Sequence, residues 1–158
     1  MKTFFNMVLF ALSSVLLVST SFASTPQILV QVKTQGGFVP PSMAGHENGI
    51  TVYDNGMFES FARKNSTSPL KRTRLGQLSP VATKKILEKV HTLKGTQLVA
   101  ENPEAPSCVD APSTDYTALN SQQETVVFSR NAGCQQYYIE EGEARSLSTL
   151  LDGLRVLQ

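Results

Sequence analysis

The chain has 158 residues, 41% of them hydrophobic and 17% charged, and a formal net charge of +1. That apolar share belongs to a globular protein, and near-neutrality argues against a nucleic-acid partner. The charge is unevenly spread: ten Lys/Arg stand against four Asp/Glu from Ser24 to Leu98, and three against nine from Val99 to Gln158.

Residues 1–23 read as a cleavable export signal. Lys2 supplies the positive start, residues 8–18 a short apolar run, and Ser21-Phe22-Ala23 small residues, Ser21 and Ala23, at both positions a signal peptidase reads. Cleavage after Ala23 leaves 24–158 as a single exported domain, periplasmic or secreted. The run is too short for a comfortable membrane span of ~20 residues. No second long apolar stretch follows, so no stable membrane insertion is expected after cleavage. No Cys sits at the cleavage point to carry a lipid. The two cysteines, Cys108 and Cys134, are expected to form one disulfide in an oxidising compartment.

In chain order, Ile28, Val30 and Val32 alternate with polar residues and predict a strand over 27–33 with one buried face. Leu29 interrupts the polar side. Gly36-Gly37 ends the strand, and residues 38–48 read as a loop from their Pro and Gly content. Residues 50–53 and 57–61 flank Asp54-Asn55-Gly56. Asn-Gly predicts a two-residue hairpin with positive φ at both positions, which sets Tyr53 opposite Phe58 and Ile50 opposite Phe61. The polar stretch 63–74 reads as a long loop or the frayed end of the second hairpin strand.

Ser79-Pro80 announces a helix, with Ser79 as N-cap and Pro80 at the first helical position. Ala82, Ile86, Val90 and Leu93 recur at helical spacing, and Gly95 closes the helix. Residues 97–99 suggest a short strand, and 101–112 a loop. Strands follow over 114–119, 124–129 and 135–139, with a turn over 130–133. Leu147, Leu150, Leu151 and Leu154 predict a terminal amphipathic helix, with Glu140, Glu141 and Glu143 at its start. The fold class is α+β: a mainly antiparallel sheet of about five to six strands with two helices packed on one face.

No catalytic constellation is recognisable, so the chain is expected not to be an enzyme and to need no cofactor or metal. His46 and His91 are the only imidazoles, and His46-Glu47 alone cannot close a metal site. Two segments stand out as binding candidates. Phe38, Val39, Pro40, Pro41 and Met43 lie on a stiffened apolar loop, suited either to a partner's cleft or to tucking into the core. Arg63, Lys64, Lys71, Arg72 and Arg74 form a basic patch with no acid between them. It suits an anionic partner, or is a solvated loop balanced by the acidic half after folding.

A strand running into Gly36-Gly37-Phe38, the Leu78-Ser79-Pro80 helix, the strand around Asp115-Tyr116 and the Leu-rich terminal helix resemble the emfourin family. The same layout is similar to several uncharacterised secreted bacterial domains. The hairpin, the cysteine pair and the basic stretch lie outside the emfourin pattern. The resemblance implies a small α+β inhibitor of thermolysin-type metalloproteases. The expected function is thus a non-enzymatic exported binding protein whose partner is another protein, with a protease as the sharper case and the Phe38 loop as its contact. The first alternative is an accessory or structural envelope protein holding an anionic partner through residues 63–74. The second is a hydrolase with an unrecognised site.

Overall fold

Val30 and Val32 are fully buried at the middle of the first strand, β1 (Ile28–Gly36), in a computed structural model. The structure describes residues 25–156 apart from 95, 96, 107, 109 and 141. The export signal 1–23, the helix-closing Gly95 and Glu141 lie outside the described residues. The further strands are β2 (Glu47–Tyr53), β3 (Met57–Arg63), β4 (Lys71–Gln77), β5 (Leu98–Ala100), β6 (Pro112–Leu119), β7 (Thr125–Ala132) and β8 (Gln135–Ile139). The helices are α1 (Pro80–Thr92) and α2 (Ala144–Arg155). A short 3-10 turn, Pro41–Met43, lies between β1 and β2.

The strands make one antiparallel sheet in the order β4-β3-β2-β1-β6-β7-β8-β5. Register places Val32 beside Ile50 and Tyr116, and Val30 beside Val52 and Ala118. These side chains share one face. Ile86 and Val90 of α1 and Leu147 and Leu151 of α2 pack against it with Phe58 and Phe128. Each of these large apolar side chains contributes on the order of 1.5–3 kcal/mol by leaving water. The other face carries no helix.

The α+β class holds, but the sheet has eight strands, not five to six. Of its two edge strands, β5 is the short strand expected near 97–99, and β4 is the one the sequence does not show. β4 is exposed or half-buried along its whole length, so the sequence Lys71 to Gln77 carries no apolar alternation and reads as a loop.

Three local expectations also change. Ile28 is 42% exposed, while Leu29 is buried in the core. A bulge between Ile28 and Val30 shifts the register against β2 and turns Leu29 inward. The hairpin loop is three residues long rather than two. The Gly56 N–H donates to the Tyr53 carbonyl at 2.9 Å, and Gly56 takes φ +81° while Asn55 does not go positive. This moves the pairing by one residue: Val52 faces Phe58 and Gly49 faces Phe61. Phe61 therefore lies on the helix-free face, across Gly49, where a Cβ would meet its ring at 2.8 Å. The turn after β7 is tighter than 130–133, because β7 runs to Ala132 and only Gly133 and Cys134 link it to β8.

The helix signals hold at α1. Ser79 Oγ accepts the Ala82 N–H at 3.2 Å, and Pro80 opens the helix. At α2, Glu140 and Glu143 precede the helix, and Glu143 pairs across to Lys89 of α1. Lys89 and Ser146 hold the Glu143 carboxyl below the usual carboxylate range. The ring of Tyr116 packs edge-on against Phe128, and its hydroxyl donates to Asp152 at 2.7 Å, tying α2 to β6.

Candidate functional site

Antiparallel order brings four connections to one end of the sheet: β1–β2, β3–β4, β5–β6 and the β7–β8 turn. Both candidate segments sit there, held by hydrogen bonds that the loops make to one another. The Phe38 N–H donates to the Asp110 carbonyl at 2.7 Å, which ties the first loop to the segment before β6. That segment is itself anchored by the disulfide Cys108–Cys134, whose Cα atoms are 5.4 Å apart. On the other side, Asn65 Nδ2 donates to the Ser42 carbonyl at 3.1 Å, and the Ser66 N–H donates to Ala44 at 2.9 Å. Gly45 permits this approach: it holds φ +80°, and a Cβ there would stand 2.8 Å from Ser66 N. Asn65 Oδ1 organises its own loop by accepting from the Thr67 hydroxyl, the Ser68 N–H and the Ser68 hydroxyl.

Between these anchors Phe38 is 85% exposed. Pro40 and Pro41 are exposed, and Val39 and Met43 are half-buried. The segment is thus not a core plug at Phe38. It presents an aromatic ring on a backbone tied at both ends.

Met43 also lines a groove of about 390 Å³ shared with the basic segment. Ala62 and Pro69 complete its apolar wall, and Arg63, Lys64 and Lys71 supply the cationic rim. His46 and Ser68 close it. His46 Nε2 lies 3.2 Å from Asn48 Nδ2, while its Nδ1 is buried without a partner. Arg63 Nε stands 3.2 Å from Glu47 Oε1 but lacks the angle of a hydrogen bond.

Arg72 and Arg74 leave the groove and lie on the helix-free face, opposite Phe61 and Glu59. Arg72 pairs with the buried Glu59, and its guanidinium sits 5.9 Å from the centre of the Phe61 ring. Tyr53 donates to the same Glu59 carboxylate at 2.6 Å, and burial with this bond raises the Tyr53 pKa. Lys64, Lys71 and Arg74 pair with no carboxylate among the described residues.

The acidic half does not balance the basic one. Of seven ion pairs among the described residues, only Lys89–Glu143 joins the two halves. The reason is topological. β1 to β4 are contiguous on one side of the sheet, and β6 to β8 lie on the other. A charge asymmetry in sequence becomes one in space, with Lys71 and Arg74 unpaired on the β4 edge and Lys64 unpaired in the loop before it.

Comparison with family models, with characterised proteins and with solved structures finds no match to this chain. The emfourin resemblance therefore rests on the residues quoted for it. Among the described residues no group of three or more His, Cys, Asp or Glu is placed to hold a metal ion. None of their helices is long and apolar enough to cross a membrane.

Sequence reasoning found Phe38, Met43 and the five cations but did not join them. Ala62, His46, Ser68 and Pro69 were missed as groove residues, because loops far apart in sequence meet only through strand pairing. The local signals that point to the junction are Gly45 and Asn65.

Proposed function

We propose that this chain is a non-enzymatic exported binding protein that docks a protein partner through the loop end of its sheet. The observation that carries this reading is the exposure of Phe38 on a backbone tied to Asp110 on one side and, through Ser42 and Ala44, to the β3–β4 loop on the other. An exposed aromatic on a pre-organised loop loses little conformational entropy on docking, and aromatic anchors dominate interface energies. The disulfide is in keeping with an oxidising compartment. The sharper form is an inhibitor of thermolysin-type metalloproteases, with Phe38 and its prolines entering the protease cleft. Inhibition assays against such proteases, beside a pull-down from a cell-envelope extract, test it. Tight inhibition that Phe38→Ala abolishes supports the inhibitor. Retention of an envelope protein equally by the wild type and Phe38→Ala refutes the loop as the contact.

A second reading, an accessory envelope protein that binds an anionic partner through residues 63–74, is favoured by the unpaired Lys64, Lys71 and Arg74. Its mark is binding that weakens steeply as salt rises.

A further inference from the structure

The strand β4 has one free flank. Six of its seven residues, Lys71–Gln77, pair with β3 while Leu75 sits at a bulge, and no described strand covers the other side. Such an edge offers backbone N–H and C=O groups that a further extended chain satisfies. The opposite edge, β5, is three residues long and offers little of this.

Charge decides which chain fits. Arg72 and Arg74 lie two residues apart on the helix-free face, and Lys71 projects to the other face at the start of the strand. Glu59 already engages Arg72, so Lys71 and Arg74 carry the unanswered charge. A second copy of β4 would set cation against cation, which is destabilising across paired strands. An added strand with acids at alternate positions would instead bring carboxylates beside Arg72 and Arg74 on one face. At its Lys71 end the edge runs into the groove walled by Met43 and Pro69, where an apolar side chain of the same segment finds a seat.

We propose that β4 is a recognition edge for an extended acidic segment of a partner protein, added to the sheet as a further strand with Asp or Glu at alternate positions. This rests on the anionic-partner reading and is independent of Phe38.

The probe is a capped peptide of alternating Glu and Val, matched to the seven residues of β4. It is titrated into the purified, isotope-labelled protein, with amide exchange and affinity as readouts. Amides within 71–77 should gain protection. Affinity should fall by ~tenfold in the Lys71→Glu, Arg74→Glu double variant and stay unchanged in Phe38→Ala. A peptide of the same composition with its Glu residues clustered at one end should bind several-fold more weakly. If that peptide or polyphosphate binds equally well with no protection of the β4 amides, strand addition is wrong while the anionic-partner reading stands. If neither peptide nor polyphosphate binds at low salt, both fall. Thermal melts check that the double variant folds. If it does not, Arg74→Gln serves the same comparison, with a ~threefold loss expected and no loss overturning the proposal.

Discussion

Truncating Phe38 to alanine separates binding from folding. The side chain is 85% exposed in the free protein, so folding removes only a small part of it from water. Full burial of a Phe side chain is worth roughly 1.5–3 kcal/mol, so its present share is about 0.2–0.5 kcal/mol. For a domain of this size that lowers the melting temperature by about 1–2 °C. A partner that covers the ring gains the remainder, about 1.3–2.5 kcal/mol, which is a ~10–70-fold change in Kd. Thermal melts of both proteins and calorimetric titration with the captured partner measure the two quantities. A fall of more than about 5 °C in melting temperature would mean that Phe38 supports the core, and the reasoning from its exposure would be wrong. Unchanged affinity with unchanged stability would remove Phe38 from the interface.

The bulge in β1 makes Leu29→Ala cost about 2–4 kcal/mol and Ile28→Ala about 1 kcal/mol or less in urea denaturation, and the reverse order would refute the bulge. Cys108→Ser should cost about 2–4 kcal/mol and speed exchange of the Phe38 amide, while the denatured, unreduced wild type should titrate essentially no free thiol. Burial and the hydrogen bond to Asp152 raise the Tyr116 pKa above the usual tyrosine value. Its stabilisation is therefore complete below about pH 10, where the unfolded tyrosine ionises, and declines as pH rises beyond that. Tyr116→Phe should cost about 1–2 kcal/mol at neutral pH, and the gap to wild type should narrow above about pH 10. A gap that stays constant there would count against the shift.

Much of the fold is legible residue by residue. Val30, Val32, Val126 and Phe128 mark strands because a half-buried strand must alternate. Ser79-Pro80 marks the start of α1 because its first N–H groups need a cap. The Leu147–Leu154 spacing marks α2 because one helical stripe faces the sheet. The misses share a cause. β4 is an edge with little or no buried face to pattern it, so Lys71 to Gln77 looks like a basic loop. Leu29 looks like an intrusion on the polar side until pairing with β2 creates the bulge. The hairpin register slips because Asp54-Asn55-Gly56 suits both a two-residue and a three-residue loop. In the three-residue loop Gly56 lies against α1, where a Cβ would stand 2.5 Å from Thr83 Oγ1.

For the site, the sequence alone determined which side chains were available: an apolar Pro-stiffened loop at Phe38, five clustered cations and one cysteine pair. It also determined that charge of opposite sign lay in the two halves, since composition is a local property. Only the tertiary structure decided that Phe38 points to solvent, that Met43 shares a groove with Arg63, Lys64 and Lys71, and that all but one of the described ion pairs stay within one half. Those outcomes depend on strand order and on hydrogen bonds such as Asn65 to Ser42 and Phe38 to Asp110. Such partners are distant in sequence, and no local preference of either residue specifies the other. They are set when the whole sheet closes on its core.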